Sequence, residues 1–397
     1  MDAEEPVLGL RARRAVPLIA AALTVAVVAG LLYLHATTPQ SPRIVQGRAT
    51  IVPPSLSRVY GAAFDFVSPA DGWAVVRQQQ GGNPQAWLNR TADGGRHWAR
   101  VFRVNSAELA PLFIHFFDTR NGMFYNGRLY RTSDGGAHWT VISLPDATPN
   151  FTFASTTRGW ALDSEFDPAQ ASTLYATDDG GLTWRRLAAT FPGGTIFAPG
   201  KGGLAGFDFR ANGEGWVGAA ASKPIVYATF DGGTTWRAVE IPASPETVPS
   251  PAPSGKPYQP PAYNSVVYVL PGQGVLVLLT TYLGIVEAFT SFDGGRTWDS
   301  ITFPPGPFSF GDISFVDRTH WWVSRANLLR KTSDGGLTWQ TVVTVDPDVS
   351  GDWGMQTDHV IDARHAWTLM IGRTGTALAM TSDGGVHWRP ANVPLPG

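Results

Sequence analysis

The sequence predicts an all-β protein, a seven-bladed β-propeller of four-stranded blades preceded by one amino-terminal transmembrane helix. Three observations predict it. An eight-residue box, [TS]-x-D-G-G-x-[TH]-W, recurs seven times. A second pattern precedes the boxes, an apolar strand and a short polar turn leading to Gly-Trp or an equivalent. Ala15 to Leu34 runs 20 residues without a charge, about the length that crosses the hydrocarbon core as a helix. Repetition at this period marks an architecture whose units bury their faces only against their neighbours.

Residues 1–14 end in Arg11, Arg13 and Arg14. Pro17 lies near the start of the apolar run, where a helix tolerates it. Arginines ahead of the span place residues 1–14 in the cytoplasm and the remainder outside. The alternative is a secreted chain with a cleaved signal peptide. The apolar region of such a peptide is usually about 7–15 residues, and the nearest small-residue site, Leu34-His35-Ala36, is imperfect. Residues 35–59 read as a stalk, within which Ile44 to Val52 has strand character.

The propeller is expected over 60–397. Its boxes carry Asp93, Asp134, Asp179, Asp231, Asp293, Asp334 and Asp383 at the third position. They end on Trp98, Trp139, Trp184, Trp236, Trp298, Trp339 and Trp388. Successive aspartates are 41, 45, 52, 62, 41 and 49 residues apart, the size of four-stranded blades. Blade one reads as strands at about 60–67, 72–78, 86–91 and 97–103, with the box as the turn between the third and fourth. Asp accepts hydrogen bonds from turn N–H groups, and Thr or Ser adds a hydroxyl. The two Gly allow positive φ at no steric cost. The Trp is expected to open the outer strand and to pack on the sheet or the next blade. The upstream pattern runs from Phe64-Asp65-Phe66 to Gly72-Trp73, from Phe153 to Gly159-Trp160, and from Phe207-Asp208-Phe209 to Gly215-Trp216.

Every unit has a strand after its box, so the ring is expected to close without an exchanged strand. Pro390 weakens the last strand, and Ile44 to Val52 is the candidate to reinforce that closing blade. The 62-residue spacing contains an insertion at 242–263 with eight prolines. It reads as an extended surface loop, either a tolerated insertion or a partner-binding segment.

These boxes resemble Asp-boxes, also called bacterial neuraminidase repeats, of the sialidase-like superfamily. Such boxes occur in sialidases, xyloglucanase-type glycosidases, sortilin-type receptors and photosystem II assembly-factor-like propellers. The pairing of F-x(n)-G-W with T-x-D-G-G-x-T-W most resembles the last group, over about residues 60–393. The resemblance implies a propeller whose boxes are structural and peripheral on one face. It implies no particular activity.

The formal net charge is −2 and no basic stripe is present, which argues against a nucleic-acid partner. The absence of Cys excludes disulfides, thiolate metal sites, cysteine nucleophiles and a lipid-modified amino-terminal cysteine. No phosphate loop or serine nucleophile elbow occurs, and no cofactor is expected. A sialidase would show an Arg-Ile-Pro motif; Arg43-Ile44-Val45 is a partial echo within the stalk. Glycosidase chemistry needs two carboxylates about 5–10 Å apart, for which Asp163, Glu165 and Asp167 are weak candidates. Asp346, Asp348 and Asp352 are weak candidates for a metal, without the final Glu of an EF-hand. His97, His138 and His387 stand at the Thr position of the box and read as structural. The expectation is a membrane-anchored, extracytoplasmic binding or assembly scaffold. A protein or glycan partner would sit on the face opposite the boxes or at the central channel. A glycoside hydrolase acting on extracellular glycans is the alternative.

Overall fold

A computed structural model describes residues 43–49, 59–80, 83–104, 113–145, 150–163, 173–187, 195–196, 206–221, 223–243, 263–281, 284–301, 313–325, 328–344, 354–372 and 375–392. The chain divides into two units, Met1–Ser41 and Pro42–Gly397. The first unit, and with it the apolar run Ala15–Leu34, lies outside the described residues. Among the described residues no helix is long and apolar enough to cross a membrane.

The second unit is the expected ring of seven antiparallel four-stranded blades. Blade one has strands at Val59–Phe66, Gly72–Gln80, Asn83–Thr91 and Ala99–Val104, close to the positions read from sequence. The innermost strands of blades two to seven are Phe113–Phe116, Asn150–Phe153, Phe207–Phe209, Tyr263–Val269, Ile313–Phe315 and Gly354–Val360. The outer strands begin one residue after the box Trp, except in blade six, where Trp339 lies within Thr338–Thr344. Blades four and five also share main-chain pairing, with Ala220 and Ala221 opposite Asn264 and Tyr263.

The strand expected in the stalk forms at Arg43–Ala49, but it does not reinforce the closing blade. It pairs in parallel with Thr338–Thr344, Ile44 opposite Trp339, as a fifth strand on the outer edge of blade six. Blade seven instead completes its own sheet with Arg389–Ala391. Pro390 is tolerated on that outermost strand, where an N–H directed away from the sheet is dispensable.

Seven apolar clusters lie between successive blades, and each contains one box Trp. Every box Trp packs back on the preceding blade. Trp339 of blade six, for example, lies among Leu276, Ala288 and Ile301 of blade five. The Gly-Trp pattern has a similar origin. Phe116 stands opposite Gly122 in the ladder, and a Cβ on Gly122 would meet its ring at 2.5 Å. The other face of Phe116 stacks on Trp73 of blade one at 3.6 Å. The same Trp–Phe–Gly layering joins Trp160 to Phe209 and Trp367 to Phe66. The indole N–H of Trp73, Trp160 and Trp367 donates in turn to the first box glycine carbonyl of the following blade, Gly135, Gly232 and Gly94.

The boxes share one circuit. Both glycines of every box have positive φ. The Asp Oδ1 accepts the N–H four residues on, as in Asp179 with Thr183 at 2.9 Å. In six blades the first glycine N–H donates to a carbonyl in the turn between strands one and two of its own blade. Box and first turn therefore share one face, as expected. His97, His138 and His387 turn Nδ1 onto their box aspartates at 2.6–2.7 Å. They take the place of the Thr hydroxyl and are structural.

Candidate functional site

One residue of each innermost strand forms a ring around the axis: Asp65, His115, Thr152, Asp208, Tyr268, Ser314 and His359. Their equivalence follows from register. Each lies opposite the Trp position of strand two, as in Asp65 opposite Trp73, Asp208 opposite Trp216 and His359 opposite Trp367. Side chains alternate along a strand. The flanking Phe64 and Phe66 face back into the interface with blade seven, so Asp65 turns forward toward blade two.

The two carboxylates of the ring have the same backbone role. The innermost strand has no partner on its inner side, and some of its N–H groups need another acceptor. Asp65 Oδ2 accepts the N–H of Phe116 on blade two. Asp208 Oδ2 accepts the N–H of Val269, the equivalent position on blade five, at 3.3 Å. Each aspartate thus ties its blade to the next at the axis.

Their electrostatic settings differ. Asp65 is 4 % exposed, with His359 Nδ1 at 3.2 Å and His115 Nδ1 at 3.4 Å. Burial opposes its ionisation, but the charge of His359, the hydrogen bond and charge of His115, and the Phe116 N–H outweigh it. Its carboxyl is held below the usual range. His359 also reaches the Phe66 carbonyl through Nε2 at 2.7 Å, so blades seven, one and two meet at Asp65. Burial dominates at Asp208 and pushes its carboxyl up. The Phe209 N–H, the Val269 N–H, the Thr152 hydroxyl and the charge of Arg210 only partly offset that burial.

A cavity of about 190 Å³ opens beside Asp208, walled by blades two to five. Phe113, Met123, Phe151, Phe207, Val267 and Tyr268 make its apolar and aromatic wall, while His115, Thr152 and Asp208 supply polar groups. The surface that Asp208 keeps opens into this cavity.

The candidates read from sequence lie elsewhere. Asp163 ends the second strand of blade three, its backbone opposite Thr173. Glu165, Asp167, Asp346, Asp348, Asp352 and the core of the proline-rich insertion (244–262) lie outside the described residues. Among the described residues no three His, Asp or Glu side chains are placed to hold a metal ion. The axial aspartates are not among the candidates read from sequence, although each stands there as an acid between two phenylalanines, Phe-Asp-Phe. A carboxylate at the centre of an apolar strand is the buried-polar signal that carries information.

The fold and axial ring define a class, the seven-bladed β-propeller of four-stranded blades with a polar ring on its innermost strands. No protein-family model matches the chain, and no curated protein matches it. Among solved structures it is similar to YCF48 bound to D1 peptide, at 17 % identity over 83 % of this chain and 93 % of that one, with a TM-score of 0.49. It is also similar to YCF48 from Cyanidioschyzon merolae, at 17 % identity over 83 % and 96 % with a TM-score of 0.45. A third similar structure is Penicillium chrysogenum alpha-L-arabinanase complexed with arabinobiose, at 14 % identity over 83 % and 96 % with a TM-score of 0.36. Assembly-factor and glycosidase propellers, to which the boxes were expected to show a likeness, are thus present among the similar structures. At these scores the architecture rests on the strand pairings, and no activity carries across.

Proposed function

We propose that the protein is a membrane-anchored, extracytoplasmic scaffold that binds a protein partner without catalysis, and that the axial cavity is part of the contact. Ala15–Leu34 is the anchor and residues 1–14 are cytoplasmic. The observation that supports the reading is the make-up of the cavity. An apolar, aromatic wall with a few polar groups at fixed positions suits binding. Both ring carboxylates already accept backbone N–H groups, which favours a structural and binding role over proton transfer. A photoreactive benzoylphenylalanine at Phe113 in the intact anchored chain should cross-link a specific protein. The same group at Leu182, which is 62 % exposed within the box of blade three, should not. Adducts from Leu182 alone would sink the proposal.

One observation favours the alternative, a glycoside hydrolase. Asp65 and Asp208 are two axial carboxylates with opposite shifts, the pattern that separates a nucleophile or base from a general acid. Turnover of a glycan by the purified chain, lost in Asp208→Asn, would replace the scaffold reading.

A further inference from the structure

We propose that the axial cavity takes an alkylammonium cation, seated against Phe113, Phe151, Phe207 and Tyr268 with Asp208 as its counter-charge. The proposal rests on the reading of the channel as a binding region and names the chemistry it would recognise.

The first argument is the imbalance between the two axial carboxylates. Asp65 has two histidines within 3.4 Å. Asp208 has no Lys, Arg or His within ion-pair distance among the described residues. Arg210, two positions on, is committed elsewhere. Its Nε meets Glu214 at 3.1 Å, its Nη1 meets the Leu270 carbonyl at 2.7 Å, and its Nη2 meets the Gly274 carbonyl. A carboxylate in an apolar setting is costly without a counter-charge in contact with it; the more distant charge of Arg210 offsets that cost only in part, and a cation entering the cavity would remove more of it.

The second argument is acceptor capacity. Asp208 receives the Phe209 N–H at 2.8 Å, the Thr152 hydroxyl at 3.3 Å and the Val269 N–H at 3.3 Å. A carboxylate offers about four acceptor sites, so capacity for a further donor remains.

The third argument is the wall, which chooses among cations. Aromatic rings attract a cation through their faces and shelter its alkyl groups. A guanidinium, with about five N–H donors, would enter with most of them unpaired. A sugar would strand its hydroxyls in the same way. The cavity of about 190 Å³ is smaller than the roughly 300–1,000 Å³ of drug-sized sites. It suits a head group or one side chain. His115, also on the wall, is turned to Asp65, whose charge meets its own when it is protonated.

The test uses the full chain in detergent, titrated by calorimetry with choline, with n-butylammonium, and with 3,3-dimethylbutan-1-ol, the uncharged isostere of choline. At least one ammonium should bind saturably and tenfold or more tighter than the alcohol, and Asp208→Asn should weaken it at least tenfold. Tighter choline would indicate a quaternary head group, and tighter butylammonium a lysine-like side chain of a partner; both sustain the proposal. No saturable binding, equal binding of the alcohol, or an undiminished response in folded Asp208→Asn would overturn it. The comparison of ligands on the wild-type chain decides the matter even if the variant fails to fold. Cross-linking at Phe113 without ammonium binding would leave the scaffold reading standing and this proposal refuted. Ammonium binding without protein adducts would do the reverse.

Discussion

At the scale of the residue, the box shows how one short circuit can be copied seven times on different blades. Thr332 donates its hydroxyl to Asp334 Oδ1 at 2.7 Å and accepts the N–H of Gly336 at 3.0 Å. Asp334 then accepts the N–H of Thr338 at 2.8 Å. The aspartate is the recognisable letter of the motif, but the donor it serves is exposed, and water can replace it. Thr332 is 2 % exposed, and the Gly336 N–H it serves is buried. Thr332→Val should therefore cost about 1–3 kcal/mol by orphaning a buried donor, and Asp334→Ala about 1 kcal/mol or less. Thr332→Ser should be close to neutral, because Ser291 fills the same role in blade five at 2.9 Å from the Gly295 nitrogen. Urea denaturation of the three variants checks the order; an Asp334→Ala loss as large as that of Thr332→Val would contradict it. The turn was legible from sequence because Gly, Asp and Thr have local reasons to be there. The ranking within it was not, because burial is set by the neighbouring blade.

At the scale of the element, the Gly-Trp pattern was visible as a string, but its cause lies across a blade interface. Gly122 is small because the ring of Phe116 lies across it, and Phe116 lies there because Trp73 of blade one stacks on its other face. A Cβ at position 122 would push the ring toward the indole. Gly122→Ala should cost about 1–3 kcal/mol, as overpacking of a filled core does. Phe116→Leu, a smaller side chain, should recover part of that loss when combined with it. Additivity of the two changes in a double-mutant cycle would show that the glycine is not kept for the ring. The strand at Arg43–Ala49 marks the limit of sequence reading at this scale. Its apolar and β-branched residues signalled a strand, but nothing local to 44–52 specifies a partner. Main-chain pairing is nearly indifferent to sequence, and the open outer edge of blade six accepted it as strand addition onto an exposed edge.

At the scale of the whole molecule, the ring closes by side chains and loop carbonyls, with no strand exchange. Trp98 donates to the Asn392 carbonyl at 2.7 Å, the Asn392 N–H donates to Gly95 at 3.0 Å, and His359 meets Asp65 at the axis. The two axial aspartates then make opposite contributions as pH changes. Asp65 is held below its unfolded value of about 3.9. Its contribution is fully present above that value and is lost as pH falls through the folded one. Asp208 is pushed above its unfolded value. The stability linked to it is greatest below about 3.9 and declines as pH rises through its folded value. Asp65→Asn removes the charge that meets His359 and His115 and should cost about 3 kcal/mol at pH 7. It should also flatten the acid side of the stability profile. Asp208→Asn loses one long bond, Val269 N–H at 3.3 Å, but also removes a carboxyl whose ionisation its surroundings oppose, and should cost about 1 kcal/mol or less. Thermal denaturation of both variants between pH 3 and 8 checks this, and equal losses at pH 7 would refute the asymmetry. A carboxyl kept at the axis where burial opposes its ionisation, beside a cavity able to receive a counter-ion, is the pattern of a binding site retained against the interest of the fold.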